Sequence, residues 1–157
     1  MSEKIIKNLK EFLAGNWVIL GIGNRLKGDD GFGSILAEKL WNLTLNENIF
    51  DSGIAPENYL SKISIINPDK LLIVDAVLFS SKPGEIKLLE ANAISSPFAL
   101  THGPTNFSLM KTFLKGTEIK ILAVQPKTMQ LGNDLSSEIA QVLDKVLLIL
   151  AQIINGI

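Results

Sequence analysis

Three short runs, "WVILGIG" (17–23), "KLLIVDAV" (70–77) and "EIKILAVQP" (118–126), are apolar almost without interruption. A strand that is apolar on both faces must be covered on both, the condition of a strand inside a parallel sheet flanked by helices. The segments between them supply the covers. "GSILAEKLWNL" sets Ile35, Leu36, Leu40 and Leu43 at helical spacing, and "PENYLSKISII" opens on Pro56, a favourable first-turn residue. "TNFSLMKTFLKG" closes at Gly116, and "SSEIAQVLDKVLLILAQII" is the last long helix. Ahead of the first strand, Ile5, Ile6, Leu9, Phe12 and Leu13 mark one face of a helix ended by Gly15. "NIFDSG" reads as a short second strand, and "GEIKLLE" (84–90) alternates after a Pro-Gly turn, the pattern of an antiparallel edge. The expected fold is α/β: three layers, a twisted, mostly parallel sheet of about five strands with helices on both faces. No repeat, low-complexity segment or linker divides it, so residues 1–157 are expected to form one domain.

Composition removes several functions. The chain of 157 residues has a formal net charge of -1, so nothing draws it broadly to nucleic acid or anionic lipid. It has no cysteine and one histidine, His102, which excludes disulfides, thiolate chemistry and a His-Glu-x-x-His peptidase. Lys4, Lys7 and Lys10 interrupt what would be the apolar part of a signal peptide. "VLLILAQII" falls far short of the roughly 20 residues that cross a bilayer. A cytoplasmic protein without membrane insertion is the expectation.

In open parallel sheets, ligands sit beyond the carboxyl ends of the strands. The first strand runs into "GIGNRLKGDDGFG" (21–33), with Asp29 and Asp30; the third ends near Asp75; "LTHGP" carries His102 just before a helix. Side by side, these loops would offer two carboxylates and an imidazole, a donor set for a divalent transition metal with open positions. Each residue also has an ordinary reading. Asp29 and Asp30 suit turn and capping chemistry, one capping a helix while the other faces the site. Asp75 suits a strand end held by backbone donors, and His102 a plain loop histidine. A dinucleotide site is rejected: Leu26 stands where the fingerprint requires a third small residue, and the acids would face the phosphate. No Gly-x-Ser-x-Gly elbow is present for Ser34, Ser52 or Ser108. Arg25 and Lys27 read as solvated loop charges.

"GIGNRLKGDDGFG" resembles the glycine-asparagine-acid signature of the nickel-iron hydrogenase maturation endopeptidases. The resemblance continues, in the family's order, through "DSGIAPENY", "LLIVDAV", "KPGEIKLLE", "THGPTNFSLM" and "AVQP", covering most of residues 17–126. "GDDG" and "SGIAPEN" are most similar to the branch that processes the large subunit of formate-hydrogenlyase type hydrogenases.

The resemblance implies a twisted, mostly parallel sheet between helices. It implies removal of a C-terminal extension from the precursor of a hydrogenase large subunit once nickel has been inserted. It also implies that Asp30, Asp75 and His102 bind that nickel, supplied by the substrate, with no nucleotide. The metal would polarise the scissile carbonyl or activate a water; alternatively, as an aspartic-type enzyme, an aspartate would act as general base. Gly23, Gly31 and Asn24 would let the loop approach the substrate, Asn24 bracing the turn or hydrogen-bonding the substrate chain. The same three ligands would serve a non-catalytic nickel-binding assembly factor, and a generic zinc hydrolase is a third reading.

Overall fold

The computed structural model describes residues 1–91 and 104–156, with side chains from 1 to 91 and from 109 to 156. The chain runs α1 (Glu3–Phe12), β1 (Trp17–Gly21), a 3-10 turn (Gly28–Gly31), α2 (Phe32–Thr44) and β2 (Ile49–Asp51). A second 3-10 turn (Pro56–Tyr59), α3 (Leu60–Ile66), β3 (Lys70–Ala76), β4 (Ile86–Glu90), α4 (Pro104–Phe113), β5 (Glu118–Val124) and α5 (Ser137–Asn155) complete it. The strands form one sheet in the order β2-β1-β3-β5-β4. All neighbours are parallel except β4, which runs antiparallel to β5 at the edge, as its alternation predicted.

Successive residues along the parallel strands point to opposite faces, and both faces are buried. On one face Ile19, Leu72, Val74, Leu122 and Val124 pack under α1, α2 and α5, against Leu9, Phe12, Leu36, Leu40, Leu143 and Leu150. On the other, Val18, Leu20, Leu71, Ile73 and Ile121 meet Leu60 and Ile63 of α3 and Met110 of α4. This double cover is why β1, β3 and β5 read as continuous apolar runs. At about 25 cal/mol per Å2 of apolar surface removed from water, it is the chief stabilising contribution.

Local signals set the helix ends. Ser2 caps α1 by accepting from the Ile5 N–H at 3.3 Å. Leu45 and Asn67 end α2 and α3 in the left-handed region, with φ of 53° and 51°. The segment from Pro56, read as one helix, divides into a 3-10 turn and α3. Leu43, expected on the buried stripe of α2, is exposed. It and Trp41 lie in the last turn of α2, where the side chains are exposed while Leu36, Ala37 and Leu40 before them are buried. The strands β1 and β3 end at Gly21 and Ala76, slightly earlier than the apolar runs. Ile22 and Val77 still donate across, to the Val74 and Val124 carbonyls, each at 2.9 Å.

The chain passes from β1 to β2 on one side and then to β3 on the other. Connections diverge between β1 and β3, and such a switch point opens a crevice at the carboxyl ends of the strands. Among the described residues, no helix is long and apolar enough to cross a membrane.

Candidate active site at the carboxyl end of the sheet

The loop after β1 must turn sharply to lay α2 across the ends of β1 and β3, and its glycines permit the close contacts. A Cβ at Gly33 would overlap the carbonyl oxygens of Val74 and Ile22. The start of α2 is thus pressed onto the end of β3, one residue before Asp75. A Cβ at Gly23 would lie 2.5 Å from the Asp30 carbonyl oxygen, and one at Gly31 would lie 3.0 Å from the Arg25 Cα. Both glycines are explained by the loop folding on itself. Asn24 does the same work by hydrogen bonds. Its Oδ1 accepts from the Leu26 N–H at 3.0 Å, and its own N–H donates to the Asp30 carbonyl at 3.0 Å. Asn24 therefore braces the turn, one of the two roles expected of it.

The acid pair divides its labour. Asp29, Asp30 and Asp75 are all buried, at 0%, 4% and 1% exposure. Asp29 faces the segment between β5 and α5. Its Oδ2 accepts from the N–H groups of Lys127 (2.9 Å) and Thr128 (3.0 Å) and from the Ser136 hydroxyl (2.9 Å), and its Oδ1 from the Ser136 N–H (2.7 Å). Its N–H donates to the Thr128 carbonyl at 2.9 Å. Ser136 is the N-cap residue of α5, so Asp29 fastens the start of a helix more than 100 positions downstream in the chain and does not cap the one it precedes. Charge-assisted bonds of this kind fix a carboxylate firmly. Asp29 is structural, and Asp30, equally buried, is not part of this clasp.

Asp75 occupies the same face of β3 as Leu71, Ile73 and Val77, the face that α3 and α4 cover. The loop bearing Asp30 and the end of β3 bearing Asp75 therefore meet at the switch point. His102, the third expected ligand, lies outside the described residues; α4, which follows it two positions later, packs on Asp75's face of the sheet. Among the described residues no three histidine, aspartate or glutamate side chains gather around one point. Asp30 and Asp75 are each buried at this end of the sheet, and carboxylates are hard oxygen donors.

Arg25 is exposed, as expected of a loop charge, but it is also tied to its neighbours. Its Nε donates to the Ser34 Oγ at 2.8 Å, and its guanidinium pairs with Glu38 and, at 2.7 Å, with Asp51. It ties the first loop to α2 and to the end of β2. The partners are 9 to 26 positions away, and only the packing of α2 beside β2 reveals them. Lys27 is exposed, as expected.

The chain is similar to known proteins over most of its length. The family model for hydrogenase maturation proteases matches residues 35–153. The match includes Asp75 and begins just after the acid loop. The Hydrogenase 3 maturation protease of Escherichia coli K12 is 37% identical over 112 residues, 69% of this chain and 72% of that protein. A putative hydrogenase maturation protease of Methanocaldococcus jannaschii is 31% identical over 167 aligned positions, covering 99% of this chain and 96% of that one. The crystal structure of a [NiFe] hydrogenase maturation protease, HycI, from Thermococcus kodakarensis superposes with a TM-score of 0.80 at 29% identity, over 94% of this chain and 99% of the other.

Proposed function

Because the chain belongs to the hydrogenase maturation protease family, we propose that it cuts the C-terminal extension from the large-subunit precursor of a nickel-iron hydrogenase and recognises the nickel already inserted there. The observation that carries this reading is the division of the acid pair: Asp29 is consumed by the β5–α5 segment, while Asp30 is buried at the switch point with Asp75. Asp30, Asp75 and His102 are the residues assigned to the metal, which arrives as part of the substrate. Two carboxylates offset the charge of a divalent ion. An incomplete set of protein donors leaves positions for the precursor's own ligands.

Once engaged, such a metal polarises the scissile carbonyl or lowers the pKa of a water. The chain itself holds the ion beside the bond, and burial at the sheet end limits access of bulk water. An aspartate acting as general base, with the ion only positioning the bond, uses the same residues. A cytoplasmic location is part of the proposal, because a precursor still being assembled is its substrate.

The test mixes enzyme stripped with chelator with nickel-loaded and with nickel-free precursor and follows the released tail by mass spectrometry. Cleavage of the loaded precursor alone is expected. Equal cleavage of both would overturn nickel recognition and leave a sequence-specific peptidase. Binding of the loaded precursor without release of a tail from either would leave a non-catalytic assembly factor.

A further inference from the structure

Single exposed leucines are ordinary on protein surfaces, but several on adjoining loops at one end of a sheet are not. Leu26 follows β1, Ile54 follows β2, Leu78 follows β3 and Leu131 follows β5. They are 70%, 62%, 48% and 73% exposed. All four stand at the carboxyl end of the sheet, on the loops that surround Asp30 and Asp75. Two backbone hydrogen bonds join three of these loops, those of Leu26, Ile54 and Leu131. The Gly132 N–H donates to the Leu26 carbonyl at 2.7 Å, which sets Leu26 and Leu131 side by side. The Gly23 N–H donates to the Gly53 carbonyl at 2.9 Å, which brings the loop of Ile54 against the acid loop.

The two leucines are also held still. Asp29 fastens the 127–136 segment to the acid loop from beneath, and the Gly28 N–H donates to the Asn133 carbonyl at 3.0 Å. An apolar pair kept exposed on a fixed backbone is preorganised for binding, because little ordering entropy remains to be lost.

We infer that Leu26 and Leu131, flanked by Ile54 and Leu78, form the seat for apolar side chains of the precursor polypeptide next to the scissile bond. The inference rests on the proteolytic reading above. A stable dimer buries about 800 Å2 on each partner, more than four aliphatic side chains offer, so a second copy of this chain is a poor occupant. A narrow extended segment fits the patch, and the place of Leu26 on the loop that carries Asp30, whose N–H donates to the Lys27 carbonyl at 3.1 Å, makes it the segment being cut. A second exposed apolar group, Trp41 and Leu43, lies at the far end of α2 and supplies a control.

The experiment measures steady-state cleavage of nickel-loaded precursor by the wild type, by Leu26→Ser/Leu131→Ser, by Leu26→Met/Leu131→Met and by Leu43→Ser. Pocket contacts of this size are worth roughly tenfold or more in specificity. The serine pair is expected to raise KM about tenfold with kcat within about twofold. The methionine pair and Leu43→Ser are expected to leave KM unchanged. Thermal midpoints of the variants, which lose only exposed side chains, verify that they are folded. An unchanged KM in a folded serine pair would overturn the seat while leaving the protease reading intact. A loss confined to kcat would overturn it too, and would make the leucines part of the loop's architecture. If the wild type itself releases no tail, the proteolytic reading fails instead.

Discussion

Asp29 and Ser136 lie 107 positions apart in sequence and are joined twice: the serine N–H donates to one carboxylate oxygen at 2.7 Å and its hydroxyl to the other at 2.9 Å. The start of the last helix is thereby fixed to the loop that carries Asp30. The acid loop is rigid because of a segment that follows it by most of the chain.

Asp29→Ala is therefore expected to cost stability. It leaves the part-buried N–H groups of Lys127, Thr128 and Ser136 without their acceptor and removes a fully buried carboxylate. A loss of roughly 2–4 kcal/mol is expected, read from urea unfolding. A loss below about 0.5 kcal/mol would show that the clasp contributes little.

Asp30→Asn and Asp75→Asn keep side-chain volume while removing charge. Tail release from nickel-loaded precursor is expected to fall by more than about 100-fold in each, with the melting temperature within about 5 °C of wild type. Near-normal processing by Asp30→Asn, measured over the same time course, would remove the first loop from the site.

Gly33→Ala places a methyl group against the backbone carbonyls of Val74 and Ile22, which cannot swing aside as a flexible side chain does. A loss of about 3 kcal/mol or more is expected, or failure to fold at 37 °C. Gly53→Ala has open space around its Cβ and a φ of 53°. It is expected to cost only about 1–2 kcal/mol, from the left-handed backbone alone. Similar thermal midpoints for the two variants would contradict the close approach of α2 to β3.

Lys127 and Glu138 pair at 2.8 Å on the surface at the start of α5. The hydrogen bond from Lys127 is the main cause of the lowered Glu138 pKa, and the bond to Glu138 the main cause of the raised Lys127 pKa. A lowered carboxyl pKa contributes stability above the ordinary value, 4.5, and loses it as pH falls through the lower folded value. A raised ammonium pKa contributes below 10.5 and loses it as pH rises through the higher folded value. The penalty of Glu138→Gln is thus expected to be present between these limits, to vanish in acid, and to shrink in 1 M salt, where screening reaches about 3 Å. Urea midpoints at pH 7 and pH 3, at low and high salt, check this. An undiminished penalty at pH 3 would place its origin in packing.

The sequence by itself determined the sheet and the position of Asp75. Continuous apolar runs such as "LLIV" have to be covered on both faces, and a carboxylate immediately after one marks the approach to the strand's carboxyl end. The Pro-Gly turn and alternation of "GEIKLLE" likewise pointed to the antiparallel edge, where β4 is only partly buried. These are properties of burial and period, which neighbouring residues encode. The sequence did not decide which acid of "GDDG" is structural, that Arg25 is bound to Glu38 and Asp51, or that Leu26 stands beside Leu131. Those depend on partners brought together by the β5–α5 segment folding back over the first loop, and a hydrogen bond across 100 residues leaves no periodic trace in either segment. Only the tertiary structure assigns it, because the donors that satisfy a buried carboxylate are chosen by how the loops close and not by what flanks it in the chain.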